Sequence, residues 1–345
     1  GYAATGRVSD SLRNAARSFY ETVGRIYPPI HGIPLPIMKA ACDGIEGQRG
    51  IAAVAQLEFE RVVEKVTLAI VDQHASPDVQ AVVFSGGCAL NVLANQLVHD
   101  RLASMNRSAG PLGFHVPSAP NDSGITVGAL WALMPPLARQ PVQYLGFNLW
   151  DARDLEDVAQ KRGAKLLSDI GGVGYLAELL AGGPALQLTT NSVRKPIVAV
   201  VRGRQEFGPR ALGHRSLLAV PDNAEMRDRM NKLKFREWYR PVAPMIAGEA
   251  LEEVFGREVK SPYMSMAPRV QDRISQRFRA LAHLDGTARH QSVEATDEPW
   301  VHSLLLAVGR LTGLAALINT SFNSKGKPIV NTIQECLEML DELPD

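Results

Sequence analysis

Ala81-Val-Val-Phe-Ser-Gly-Gly-Cys-Ala-Leu-Asn91 decides the fold class. Ala81–Phe84 is a short β-branched and aromatic run, Ser85-Gly86-Gly87 punctuates it, and from about Ala89 to Arg101 the spacing turns helical. Strand, glycine turn and helix in that order make the α/β unit. Upstream, Ala53, Leu57, Phe59, Val62, Val63, Val66 and Ile70 recur at helical spacing and predict a long amphipathic helix over roughly 50–74, with Pro77 ending the connection. Before it, Ser11–Ile26 is weakly helical, while Pro28–Pro36 and the glycine-spaced Gly44-Ile-Glu-Gly-Gln-Arg-Gly50 read as loop. Downstream, Gly113–Val116 is a candidate strand, and Asp122–Leu133 a helix stopped by Pro135-Pro136. Composition shifts across Pro135–Asp151, so a domain boundary is expected near 140–150. Beyond it, Leu155–Arg162, Tyr175–Ala181 and Pro299–Leu311 predict helices. Leu314–Ile318 predicts a strand, and the unbroken apolar run Pro196–Val201 a strand buried on both faces.

The composition excludes several classes. The chain has 345 residues, about two domains' worth, with 46% hydrophobic and 21% charged residues, which rules out disordered and fibrous proteins. Lys+Arg 37 against Asp+Glu 36 gives a net charge of +1, so no global field draws it to nucleic acid or membrane. No apolar run reaches the length of a membrane span, and Arg310 interrupts the longest, Ser303–Ile318. The N-terminal residues lack the apolar core of a signal peptide. Cys42, Cys88 and Cys336 are widely spaced, which suits a reducing cytoplasm and neither a disulfide framework nor a zinc knuckle.

Five segments carry candidate chemistry. In Phe84–Asn91, Gly86 and Gly87 let a ligand approach the backbone, and the following helix would aim its N–H groups at phosphate; a plain tight turn is the alternative. Pro120-Asn-Asp-Ser-Gly124 opens a helix, with Asp122 or Ser123 as N-cap or Asp122 as a metal ligand. One carboxylate is not a metal site, and the eight histidines show no ligand spacing. The third segment, Arg202–Arg240, is the densest. Ten cations face five carboxylates there, and Arg210, Lys234 and Arg240 are interleaved with glycine, proline and aromatic residues. That mixture suits a loop-built anion cavity better than a solvated helix face, and it lacks the repeated basic and aromatic pattern of a nucleic-acid surface. His283-Leu-Asp-Gly-Thr-Ala-Arg289 offers an arginine on an Asp-Gly turn, with a surface hairpin as the alternative. Asn319-Thr-Ser-Phe-Asn323 presents Ser321 and Asn323 at a strand end, either for phosphate or sugar or in a simple Asx turn.

Taken in order, Phe84–Asn95, Glu206–Ser216, Lys234–Pro241, His283–Arg289 and Asn319–Asn323 resemble the O-carbamoyltransferase family of natural-product and nodulation-factor biosynthesis, from about Ile51 to Cys336. The resemblance implies an α/β, mixed α+β, architecture. It would comprise part of an actin-like ATPase-fold domain, related to the threonylcarbamoyl transferases, over 1–145, and a YrdC-like domain over 146–345. It further implies that ATP, with Mg2+, and carbamoyl phosphate are joined as carbamoyl-adenylate, whose carbamoyl group passes to a substrate hydroxyl near a divalent metal, usually iron. By motif, Arg210, Lys234, Arg240, Arg289, Ser321 and Asn323 would line the adenylate-forming site. Gly86, Gly87 and Asn91 would hold the nucleotide for transfer, and Asp122 would be one metal ligand.

The physics is compatible with those roles. Two polyanions must meet before attack on the α-phosphorus, and clustered Arg and Lys offset their repulsion. The family usually begins with a first half of the actin-like domain that supplies histidine metal ligands. That half and a Lys-Val-Met-Gly-Leu-Ala loop before Ile51 are not found in this sequence, and Asp345 comes early for the last helix. The expectation is therefore a piece of a longer protein, or a chain whose remainder another supplies. The expected acceptor is a hydroxyl of an aminoglycoside, cephem, ansamycin-type macrolactam or oligosaccharide, and Pro117–Pro136 slightly resembles the ansamycin branch. A tRNA threonylcarbamoyl-modifying enzyme and an inactive nucleotide-binding module are the alternatives. The near-neutral charge weighs against tRNA.

Overall fold

A computed structural model describes residues 2–23, 33–74, 76, 78–107, 110–138, 141–189 and 194–342. Ile26, Pro28–Gly32 and Pro77, invoked above, lie outside the described residues. The chain forms two compact units, one of residues 1–83 and 93–115, the other of 84–92 and 116–345.

In the first unit, α1 (Asp10–Val23) and α2 (Leu35–Cys42) pack on the 31-residue α3 (Gly44–His74), and β1 (Ala81–Val83) pairs in parallel with β2 (Gly113–His115), with α4 (Val92–Ser104) between them in the chain. Two readings change. Gly44–Gly50 is the first part of α3, not loop: a Cβ on Gly47 would stand 1.9 Å from the Ala40 carbonyl oxygen, so glycine there permits close helix contact. The buried face of α3 is made of Gly47, Gly50, Ala53, Val54, Glu58, Thr67 and Val71, whereas Leu57, Val62, Val66 and Ile70 are exposed. Small residues win that face because α1 and α2 must approach closely, and buried Glu58 is paired with Arg17 (3.5 Å) and Arg61 (2.6 Å).

The second unit contains α5 (Gly124–Leu133), α6 (Leu155–Lys161), α7 (Gly172–Ala181), α8 (Pro184–Thr189), β3 (Val198–Val201), β4 (Arg215–Ala219), α9 (Ala224–Leu233), β5 (Ala243–Ala247), α10 (Leu251–Phe255), α11 (Asp272–Arg277), β6 (Gln291–Val293), α12 (Pro299–Thr312), β7 (Ala316–Ser321) and α13 (Ile333–Glu342). Its five-stranded mixed sheet runs β3-β4-β7-β5-β6, antiparallel except for β5 with β6. Alternation sorts the side chains. Leu218, Met245 and Leu317 pack with α7 and α12, while Leu217 and Ile318 pack with α9 and α13 on the other face. β3 is an edge strand, half-buried except at Val200, and not the doubly buried strand expected, because an apolar run does not reveal which strand has a single neighbour. The stretch 141–147, inside the expected linker, is pinned to the loop after β3: Gly146 N–H donates to Gln205 O (3.0 Å) and Phe207 N–H to Gln143 O (2.8 Å).

Candidate functional site

The cations between Arg202 and Arg240 have separate fates. Arg202 pairs with Glu298 and lies over Trp300, 4.7 Å from the ring centroid. Arg204 donates to the carbonyls of Leu145 and Gly146. Arg215, 1% exposed, donates to the carbonyls of Arg202, Gly203, His214 and Phe147, and so fastens the loop walls. These three are structural.

Arg210, Arg236 and Arg289 differ. Burial lowers the pKa of each, and so does a neighbouring cation: Arg236 acts on Arg210, Arg210 and Arg236 act on Arg289, and Arg240 acts on Arg236. Arg289 is pulled down to about 9. Among the described residues none of the three has an ion-pair partner, and the Nε atoms of Arg210 and Arg289 are buried without a hydrogen bond. Of the carboxylates only Glu237, acting on Arg236, offsets the positive charge at any of the three, so the site is short of negative charge.

Lys234, 3% exposed, adjoins them from the end of α9. Its Nζ donates to Ser321 O (2.7 Å), to Ser321 Oγ (3.4 Å) and to both oxygens of Asn323, and Ser321 Oγ donates to Asn323 Oδ1 (2.7 Å). The oxygens favour the ammonium form, but burial and then Arg236 outweigh them and push the amine down to about 7. The structure thus brings Lys234, Ser321 and Asn323 together, and Arg210 beside Arg289. Arg240 is at the rim, 54% exposed and 2.5 Å from Glu237. Arg236 was missed as a site residue, although it stands two positions after Lys234 in the same quoted motif. Its signal was the alternation of cations across Phe235.

Two loops present these arginines. Glu206, buried, accepts the N–H groups of Leu212 (2.7 Å), His214 (2.7 Å) and Arg215 (3.2 Å), which closes the loop that carries Arg210. Gly208 (φ +124) lies where a Cβ would be 2.2 Å from the Ser118 carbonyl oxygen, so only glycine fits. Glu206→Ala should cost about 2–5 kcal/mol, since three buried donors lose their acceptor, and Glu206→Gln less; urea midpoints check both. The second loop is a relay, not a solvated hairpin. Arg289 N–H donates to His283 Nε2 (3.2 Å), so His283 Nδ1 carries the proton toward Thr287 Oγ1 (3.2 Å), which donates to Asp285 Oδ1 (2.7 Å). Burial and then Arg289 hold His283 neutral, with its pKa down to about 3.

A cleft of about 420 Å³ lies within the same unit. Ser85, Gly86, Asn121 and Asp122 give it polar groups, and Ile125, Val127, Trp131, Val142 and Phe207 an apolar wall. It unites the expected Gly86 and Asp122, while Gly87 and Asn91 are not in its lining. Gly86 (φ +94) has its N–H committed to Pro120 O (2.6 Å), and a 3-10 turn, Gly87–Leu90, intervenes before α4 begins at Val92. The expected helix N-terminus is therefore not at the glycines, because Gly86 takes up an extended conformation open only to glycine. Neither Asp122 nor Ser123 caps α5: Ser123 occupies the cap position, but its hydroxyl donates to Asn121 Oδ1 (2.8 Å). No group of three or more His, Cys, Asp or Glu side chains suited to a metal occurs among the described residues. Among them, too, no helix is long and apolar enough to cross a membrane.

Comparison with known proteins gives a consistent picture. The model of the family described as Carbamoyltransferase C-terminus matches residues 190–344. Over 292 residues the chain is 34% identical to 3'-hydroxymethylcephem-O-carbamoyltransferase of Amycolatopsis lactamdurans and 32% to the protein of that name in Streptomyces clavuligerus, covering 85% of this chain and 51% of each relative. It is 30% identical over 285 residues to nodulation protein U of Sinorhizobium fredii, covering 82% of this chain and 47% of that one. The chain spans about half the length of these curated relatives.

Proposed function

We propose, from the premise that the chain belongs to the carbamoyltransferase family through residues 190–344, that it carries the adenylate-forming part of an ATP-dependent O-carbamoyltransferase. The observation that carries this reading is the trio Arg210, Arg236 and Arg289 with Lys234: uncompensated cations stabilise bound polyanions far more than paired ones do. ATP and carbamoyl phosphate have the chemistry the trio lacks. Water cleaves carbamoyl phosphate to phosphate and carbamate; a carbamate oxygen then attacks the α-phosphorus of ATP, forming carbamoyl-adenylate and expelling pyrophosphate. The guanidiniums hold the two anions side by side and take up charge as each phosphate group leaves, and Ser321 and Asn323 fix the Lys234 ammonium. The mixed sheet with helices on both faces supports reading residues 146–345 as YrdC-like; reading 1–145 as part of an actin-like domain rests on the resemblance of Phe84–Asn95.

For transfer to an acceptor hydroxyl, the cleft around Gly86 is the candidate seat, and its apolar wall, much of it inside Pro117–Pro136, suits a macrolactam of ansamycin type. Asp122 is a lone carboxylate there. The described residues do not by themselves make up an iron site. Pyrophosphate release tests the reading. Strict dependence on both ATP and carbamoyl phosphate is expected; dependence on threonine and bicarbonate would assign tRNA modification instead, and no release at all would leave a binding module.

A further inference from the structure

The turn that ends α9 breaks a backbone rule without a packing gain. Arg236 N–H donates to Asn231 O (2.9 Å) and Phe235 N–H to Lys232 O (3.0 Å), the pair of bonds that closes a helix through one left-handed residue. That residue is Phe235, at φ +48. Glycine is the usual occupant, because an L side chain crowds the backbone in this region. The two positions that normally make an apolar contact across such a closure hold Asn231 and Arg236. The Phe235 ring gains no burial in return: it is 68% exposed, and Trp238, three positions on, is 57% exposed. Yet this turn sets the direction of Lys234, which goes inward to β7, and of Arg236, which joins the guanidinium cluster. A strained, solvated aromatic ring fixed between two anion-holding cations has the form of a stacking surface.

We propose that Phe235 is the platform on which the heterocyclic base of the bound nucleotide stacks, with Trp238 flanking it, while the neighbouring cations hold the phosphates. This rests on the polyanion reading above, and the test separates the two. Calorimetry would compare ATP with inorganic tripolyphosphate, which has similar charge and no base, on wild type, Phe235→Gly and Phe235→Tyr. Glycine suits the backbone at this position, so Phe235→Gly removes the ring and keeps the turn, and its thermal midpoint should hold or rise. Wild type should prefer ATP by on the order of tenfold, from base stacking. Phe235→Gly should lose that preference with tripolyphosphate affinity unchanged, and Phe235→Tyr should keep it. An ATP preference surviving in Phe235→Gly would overturn the platform alone, as would a parallel loss of tripolyphosphate binding. Failure of wild type to bind either anion would overturn the polyanion reading and this inference with it.

Discussion

Arg210→Ala should lower carbamoyl-phosphate-dependent pyrophosphate release by about 100- to 1,000-fold, the usual cost of removing one preorganised donor from a charged transition state. The fold should not suffer. Burial and then the charge of Arg236 lower the pKa of Arg210, its Nε is buried without a partner, and no carboxylate neutralises it among the described residues. Deleting one of several mutually repelling cations relieves strain, so the thermal midpoint should stay level or rise as activity disappears. Arg289→Met, which keeps side-chain bulk, should behave alike. Arg240→Ala is the contrast. Its guanidinium is already satisfied by Glu237 and half exposed, so turnover should fall less than about tenfold. Equal turnover in Arg210→Ala and wild type would remove the cluster from the chemistry.

Binding of ATP at pH 8 should take up close to one proton, and its affinity should decline as pH rises from about 7 toward 10. Lys234 is the cause. With its amine pushed down to about 7 by burial and Arg236, it is largely neutral at pH 8 in the free protein, and an arriving polyanion restores the ammonium. Calorimetry in buffers of different ionisation enthalpy reads that proton directly, and Lys234→Met should abolish the uptake. Folding shows the reciprocal effect. The folded-state value lies below the ordinary 10.5, so the unfolded chain binds more protons between about 7 and 10.5, and stability rises with pH across that window. Lys234→Met should therefore gain most over wild type near pH 6 and least near pH 10. A pH-independent affinity with no proton exchange would mean that Lys234 keeps its charge throughout.

Local periodicity made α3, α12 and β7 legible, because each buries enough of its own sequence to show a pattern. It misjudged what depends on neighbours. The apolar stripe of α3 points outward since the packing face needed glycine and alanine, and β3 is half-buried since it has one partner strand. The candidate site was legible in the same measure. Residue type and motif singled out Arg210, Lys234, Arg240, Arg289, Ser321 and Asn323 for one anion site, without Arg236. Arg236 instead is the common neighbour, through a helix closure that depends on a left-handed Phe235, which no propensity anticipates. Likewise the Gly86 N–H was spent on Pro120, a contact between residues 34 positions apart in the chain.

The place of β7 in the sheet has a biosynthetic consequence. Of the five strands of this sheet it is the last to be synthesised, yet it lies in the middle, hydrogen-bonded to β4 on one side and β5 on the other. Until Ser321 has emerged, β4 and β5 lack their shared partner strand, and those edges would be open to aggregation and to chaperones. Only the emerging final strand welds them, and it delivers the oxygen ligands of Lys234 in the same stroke. The nascent domain would thus become competent to capture nucleotide at the moment its sheet closes.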